Sequence, residues 1–256
     1  MKAALADKTV SIVDRAASML RCFTRERPAL GLPELSERLG LPKPTVFRIA
    51  TVLRRAGFLD QNAETGAYLL GPMALAHAMD FLASVPIRQA ARPTMEALRD
   101  EINETIVLSL RDGDHRYNID SVESTHAVGQ TQQIGVAIPL YAGAASRVML
   151  AAMGDDELEA YLARAPLQVF TGMTLATRGE LLAATTQVRR DGHAVTTGEF
   201  TAGGHAVARL IRAPESYGVA ALHVSIPRLR HSAELERKAL DALRDGIAAI
   251  ERELKG

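Results

Sequence analysis

From Ser11 to Phe23, apolar side chains return every three or four residues, at Ile12, Ala16, Met19, Leu20 and Phe23. That spacing predicts a first helix, with Cys22 near its end as a small buried or half-buried thiol. ERPALG reads as a turn. In LPELSERLG, Leu32, Leu35 and Leu39 then form one stripe, with Gly40 where a helix C-cap belongs. The next segment, LPKPTVFRIATVLRRAGF, places Val46, Ile49, Ala50 and Leu53 at i, i+3, i+4 and i+7, a core-facing stripe. At about 100° per residue, Pro44, Arg48, Thr51 and Arg55 line the opposite side, flanked by Thr45 and Val52 on one border and by Phe47 and Arg54 on the other. Pro44 is expected at the first helical position, where a missing N–H costs nothing. FLDQNAETGAYLLG reads as strand, turn at Glu64–Gly66, and strand. Two helices joined by a glycine turn and followed by a hairpin make a winged helix-turn-helix. The outer face of the second helix carries groups that contact phosphates and base edges. A small helical subdomain with a solvated basic face fits the same pattern.

GPMALAHAMDFLAS is predicted as a helix apolar over much of its surface, so it must bury against another copy of the chain or against its own domain. PIRQAARPTMEALRDEI is the next helix. From Glu104 the period changes to two: ETIVLSLRDGDHRYNIDSV reads as strand, turn at Asp112–Gly113, strand, and VGQTQQIGVAIPLY as an extended segment. Helices follow at GAASRVMLAAM, DELEAYLARA and RGELLAATTQVRRDG, then a strand in GHAVTTGEF. GHAVARLIRA and YGVAALHVSIP form two strands linked by a turn at Ala213–Gly218, and a helix from Ser232 to Leu254 closes the chain. The order predicts an α+β domain with a largely antiparallel sheet. In VAALHVSIP, Leu222, Val224 and Ile226 share one face and Ala221, His223 and Ser225 the other. The second face either lines a small-ligand pocket or meets solvent.

Composition adds a soluble, core-forming chain: 256 residues, 47% hydrophobic and 23% charged. Scarce aromatics and no Trp argue against stacking on single-stranded nucleic acid. The lone cysteine excludes an internal disulfide. No signal peptide or membrane-spanning run is recognised, so a cytoplasmic protein is expected. The overall net charge is zero, yet residues 1–71 hold eleven Lys/Arg against seven Asp/Glu, leaving the remainder acidic. A basic N-terminal segment on an acidic body suggests two tasks in one chain. No nucleophile elbow, H-E-x-x-H, P-loop or dinucleotide-binding glycine motif is present. His193, Glu199, His205 and His223 invite thought of a metal or acid–base cluster, but their spacing matches no metal motif, and His205 should face away from Ala206. No catalytic residue, metal ligand or cofactor is assigned. The alternatives are a metal-sensing regulator or, behind it, an enzyme using the His193/His205/His223 region.

Taken together, SIVDRAASMLRCF, LPELSERLGLPKPTVFRIATVLRRAGF, TGAYLLG, NETIVLSL, GVAIPLYAGAASRVMLAAM, LLAATTQVRRDGHAVTTGEF and AALHVSIPRLR resemble the IclR family of bacterial transcriptional regulators over nearly the whole length. The resemblance implies a winged helix-turn-helix over 8–71, a linker helix that dimerises over 72–85, and a GAF-like effector-binding domain over 86–256. It implies a homodimer or homotetramer that binds double-stranded promoter DNA, as repressor or activator, and responds to a small organic acid or aromatic catabolite. DNA contacts would come from Lys43, Pro44, Thr45, Arg48, Thr51, Arg54 and Arg55. Effector contacts would come from the backbone amides of Ala144 and Ala145 and from Thr196, Ala206, His223 and Ser225. Departures from the family pattern include Pro44 for a polar N-cap, Tyr141 for His, Ser146–Arg147 for Gly–Lys, His223 for a small hydroxyl and Thr196 for an acid. Losing an acid and gaining an imidazole points to an anionic effector, a carboxylate, with aromatic carboxylates among the candidates.

Overall fold

The computed structural model describes residues 2–127, 129–130, 132–212, 214 and 218–255, with backbone alone over 2–11. The chain divides into two compact units, Met1–Ser84 and Val85–Gly256.

The first unit opens with helix α1 (Lys2–Arg21), which starts well before the predicted Ser11. Met19 and Phe23 enter its core, but Ile12 is 59% exposed and does not join the stripe. Strand β1 (Ala29–Leu30) lies within the segment expected to be only a turn. Helix α2 (Leu32–Leu39) buries Leu35 and ends at Gly40, whose φ of 61° is the left-handed conformation that favours glycine at a C-cap. Helix α3 (Lys43–Arg55) buries Val46, Ala50 and Leu53, as the stripe requires. Strands β2 (Leu59–Gln61) and β3 (Tyr68–Leu70) form the hairpin, with β1 added to β3 in an antiparallel sheet of order β1-β3-β2. The hairpin turn is tied by Asn62, whose side-chain oxygen accepts from the N–H groups of Glu64 and Thr65.

The base of the hairpin is pinned to the end of α3 by two glycines. Gly57 has a φ of +76°, and its carbonyl accepts from Met73 N–H, while Gly71 N–H donates to Phe58 O. A Cβ on Gly71 would lie 2.2 Å from Gly57 O, so the two backbones meet only because no side chain intervenes. Helix α4 (Pro72–Ser84) follows. Within the chain none of its described residues is buried, and Leu75, Met79 and Phe81 are more than half exposed.

The second unit is built on a six-stranded sheet of order β6-β5-β4-β9-β8-β7: β4 (Thr105–Asp112), β5 (His115–Val122), β6 (Ala137–Pro139), β7 (Ala194–Thr197), β8 (Gly204–Ile211) and β9 (Ala220–Pro227). Every neighbouring pair is antiparallel, so two three-stranded meanders are joined where β4 pairs with β9. Helix α5 (Pro86–Ile102) precedes the sheet and α9 (Ala233–Glu253) follows it; these two pack together against one face. Helices α6 (Ala144–Ala151), α7 (Asp155–Arg164) and α8 (Arg178–Asp191) lie between the meanders in sequence, and α6 packs on the other face with α8 against it. Only residues 137–139 of the extended segment VGQTQQIGVAIPLY are strand, and Val128 and Thr131 of that segment lie outside the described residues. So do Ala213 and residues 215–217 of the turn expected between β8 and β9. All eight residues of β9 are buried, which rules out the solvent-facing reading of His223 and Ser225.

Replacing Gly71 with alanine forces the hairpin base away from α3. Gly71→Ala is expected to destabilise the first unit by about 1–3 kcal/mol, the usual cost of overpacking. Urea unfolding followed by far-UV circular dichroism checks this; an unchanged midpoint would mean that the close approach is dispensable.

Candidate functional site

Two surfaces carry chemistry, one in each unit. On the first, Pro42 is the N-cap of α3, and Lys43 and Pro44 occupy the first two helical positions. Pro44 thus stands one place later than the sequence suggested, and it is Pro42 that takes the cap position. No acidic residue occupies the first turn of α3, so the positive end of the helix dipole is uncompensated by protein. Lys43, Pro44, Arg48 and Arg55 are exposed, and Thr45 and Thr51 are half-buried. Among the described residues Lys43, Arg48 and Arg55 have no ion-pair partner. Arg54 is engaged: its Nη1 donates to Gln61 Oε1 at 2.6 Å, and Gln61 Nε2 donates to Gly66 O, which ties α3 to the hairpin. Thr51 Oγ1 donates to Phe47 O at 2.8 Å, leaving its methyl and a hydroxyl lone pair outward.

In the second unit, Ala144, Ala145, Thr196, Ala206, His223 and Ser225 all line one cavity of about 60 Å³. Strand pairing explains the gathering. Ala206 is the register partner of both Thr196 on β7 and Ser225 on β9, so the three share a sheet face, and His223 lies two residues before Ser225 on that same face. Above them is the start of α6. Its first intrahelical bond, Arg147 N–H to Gly143 O, leaves the N–H groups of Ala144, Ala145 and Ser146 without an intrahelical acceptor. Gly143 is the N-cap with φ +84°, and no side chain caps the helix.

Arg116 lines the same cavity, and sequence reasoning missed it. Its guanidinium is 4% exposed and donates to Ser146 Oγ (2.9 Å), Ser109 Oγ (3.1 Å) and Asn118 Oδ1 (2.6 Å), all of them neutral acceptors. No carboxylate pairs with it among the described residues, and burial pushes its pKa down to about 10. It is therefore a buried cation at neutral pH without a counter-charge. His223 is held well below the ordinary histidine pKa, first by burial and then by Arg116, and is neutral. The imidazole therefore adds no charge to the cavity, and the positive charge there is the guanidinium of Arg116. His223 Nδ1 is buried without a hydrogen-bond partner among the described residues. Two glutamines close the cavity: Ser225 Oγ donates to Gln130 Oε1 (2.6 Å) and accepts from Gln132 Nε2 (2.9 Å).

The sequence of β5 hides Arg116. In HRYNIDSV, Arg116, Asn118 and Asp120 alternate and would read as a solvent face. A register shift between Leu108 and Ser109 leaves Ile119 unpaired, so the alternation breaks at a bulge. Arg116 consequently lines the cavity with Asn118 as its hydrogen-bond partner, while Asp120 turns to Arg88 and Arg92 of α5. The imagined cluster of His193, Glu199, His205 and His223 is dispersed. Glu199 lines the cavity but is ion-paired to Arg147. His193 Nδ1 contacts Asp191 O, and His205 points to the α9 side of the sheet, where Glu236 lies.

Comparison with known proteins accords with both halves. The profile described as "IclR helix-turn-helix domain" matches residues 12–63, and that described as "Bacterial transcriptional regulator IclR C-terminal" matches residues 79–252. The HTH-type transcriptional regulator XynR of Escherichia coli is 32% identical over 216 residues, covering 84% of this chain and 86% of that protein. An IclR-family transcriptional regulator from Brucella abortus superposes with a TM-score of 0.81 at 29% identity, covering 95% of this chain and 92% of that one. An IclR homologue from Microbacterium hydrocarbonoxydans, solved complexed with 4-hydroxybenzoate, shares the fold, with a TM-score of 0.78 at 22% identity covering 95% and 99% of the two chains. A helix-turn-helix unit with a basic, acid-free second helix, followed by an antiparallel-sheet domain and matched by both profiles, identifies the chain as a member of the IclR family of bacterial transcriptional regulators, which are not enzymes.

Proposed function

We propose that this regulator reads promoter DNA with the outer face of α3 and senses a small organic carboxylate in the cavity beneath α6. The observation that carries the effector reading is Arg116, a buried guanidinium hydrogen-bonded, among the described residues, to neutral groups alone. A carboxylate beside it would neutralise the cation, accept from the free N–H groups at the start of α6 and gain from the helix dipole. Phe200 lines the cavity and packs edge-on against Phe170, which stacks on Tyr141, so an aromatic acid would find an aromatic wall. A ligand pocket commonly exceeds roughly 300 Å³, so Gln130 and Gln132 must give way to an acid of that size. The Microbacterium homologue holds an aromatic carboxylate in the same fold, which is consistent with this.

For DNA, α3 offers an uncompensated N-terminus for a phosphate and the unpaired Lys43, Arg48 and Arg55 for phosphates or guanine edges. Pro44, Thr45 and Thr51 supply small contacts beside them, and Arg54 acts through its hold on the hairpin. The exposed apolar face of α4 is read as the seam between two copies, giving a dimer or an assembly of dimers. Effector binding would then bias the spacing of two helix-turn-helix units, and affinity for paired half-sites follows that spacing.

Arg48→Ala and Arg55→Ala are each expected to weaken operator binding by about 10–100-fold, and a phosphate-contacting residue also lowers the salt slope by about 1. Fluorescence anisotropy against salt concentration measures both, and unaltered affinity in the two variants would remove α3 from the interface. Calorimetric titration with matched acids and amides, 4-hydroxybenzoate and its amide among them, should show binding of acids alone. Arg116→Gln should lose about 10–100-fold of that affinity, the worth of a charged hydrogen bond. Because His223 is already neutral and Arg116 keeps its proton until about pH 10, affinity should stay level from pH 6 to 8 and decline as pH approaches 10. A fall centred near pH 6.5 would make His223 the cation instead, and equal binding of acid and amide would sink the carboxylate reading.

A further inference from the structure

On the sheet face away from the effector cavity, three metal-binding groups converge from three separate elements. His205 stands on β8, His231 ends the 3₁₀ turn Arg228–Arg230 that follows β9, and Glu236 lies in the first turns of α9. Glu236 Oε2 is 3.1 Å from His205 Nε2 and 3.1 Å from His231 Nε2, and all three ligand atoms lie within 4.8 Å of one another. The imidazole centroids are 3.9 Å apart. We propose that these residues form a binding site for a divalent transition metal of the zinc type, with His205 Nε2, His231 Nε2 and Glu236 Oε2 as ligands.

Geometry supports the assignment first. Bonds of about 2.0–2.1 Å in a tetrahedral zinc site place neighbouring ligand atoms roughly 3.3 Å apart, so the 3.1 Å separations need only a slight expansion. The second support is an unsatisfied atom: His205 is 2% exposed, and its Nε2 makes no well-aligned hydrogen bond despite lying beside the carboxylate. Thr197 Oγ1 lies 2.9 Å from His205 Nδ1, and by accepting a proton there it would leave Nε2 free for the ion, the orienting contact that metal-bound histidines usually have. The His231 imidazole and the Glu236 carboxylate are the groups that face the buried His205 ring. No lysine or arginine is among the charges acting on it.

His231 and Glu236 are about a third exposed, which gives the ion a route from solvent. Two imidazoles and one carboxylate suit zinc, cobalt, nickel or copper better than magnesium or calcium, and the fourth position is left to water. Because β8, the turn after β9 and α9 each supply one ligand, the metal would clamp the start of α9 to the sheet. The site faces away from Ala206 and Ser225, so it stands or falls independently of the carboxylate reading.

The test uses the untagged full-length chain, stripped with chelator, dialysed and titrated with zinc ion in a calorimeter. One zinc per chain is expected, together with a rise in melting temperature. Glu236→Gln, which keeps the side-chain shape, and His231→Ala should each lose more than about 100-fold in affinity and abolish the thermal shift. Thr197→Val should lose about 10-fold, the smaller effect of an orienting partner. His193→Ala, outside the cluster, should bind as the parent does. Absence of stoichiometric zinc binding by the parent chain would overturn the proposal, and so would parental affinity in either Glu236→Gln or His231→Ala. Circular dichroism of each variant separates loss of a ligand from loss of the fold.

Discussion

The second unit depends on the antiparallel pairing of β4 with β9. These strands are more than a hundred residues apart in sequence, yet Val107 pairs with His223 and Thr105 with Ser225 at the centre of the sheet. That ladder joins two meanders into one surface. Without it, the half carrying Arg116 and the half carrying His223 and Ser225 would have no shared cavity. It also closes a long loop, and such non-local pairing is formed only after a large entropic cost has been met. The apolar residues on the α9 side, Leu222, Val224 and Ile226, are fully buried and drive the pairing. The opposite face is thereby left able to hold polar groups.

What the cavity face holds is expensive. A guanidinium, an imidazole and several hydroxyls are buried where hydrocarbon would pack more easily. The guanidinium is satisfied in hydrogen bonding by neutral groups and has no carboxylate partner among the described residues. Other buried charges in the unit are paired within the protein: Arg147 with Glu199 at the cavity itself, and away from it Glu104 with Arg230 and Asp120 with two arginines of α5. Of the two buried arginines among the described residues, Arg147 has a carboxylate partner and Arg116 does not.

Legibility followed the range of the interaction. Helices α2, α3, α4, α5 and α9 were readable from stripes and caps, because a helix satisfies its own backbone and needs only one apolar face. The outward line of Arg48, Thr51 and Arg55 came from that same period. Strand β1 was missed because two residues carry no pattern, and its existence is decided by β3 across the sheet. Pro44 was misplaced by one position because either proline of the pair Pro42 and Pro44 suits the entry to a helix. His223 and Ser225 were singled out from alternation alone, but alternation could not say whether their face met solvent or a cavity.

By itself, then, the sequence determined the two-unit plan, the recognition helix with its acid-free outer face, and the alternation that put His223 beside Ser225. These depend on periods and caps written locally in the chain. Tertiary structure alone decided that Arg116 lies inside, because a bulge at Ile119 reverses which side of β5 faces the helices. It alone brought His205, His231 and Glu236 together, since three ligands on three elements have no fixed spacing in sequence. Charge and metal chemistry depend on distances between atoms, and for residues far apart in the chain only the folded sheet sets those distances.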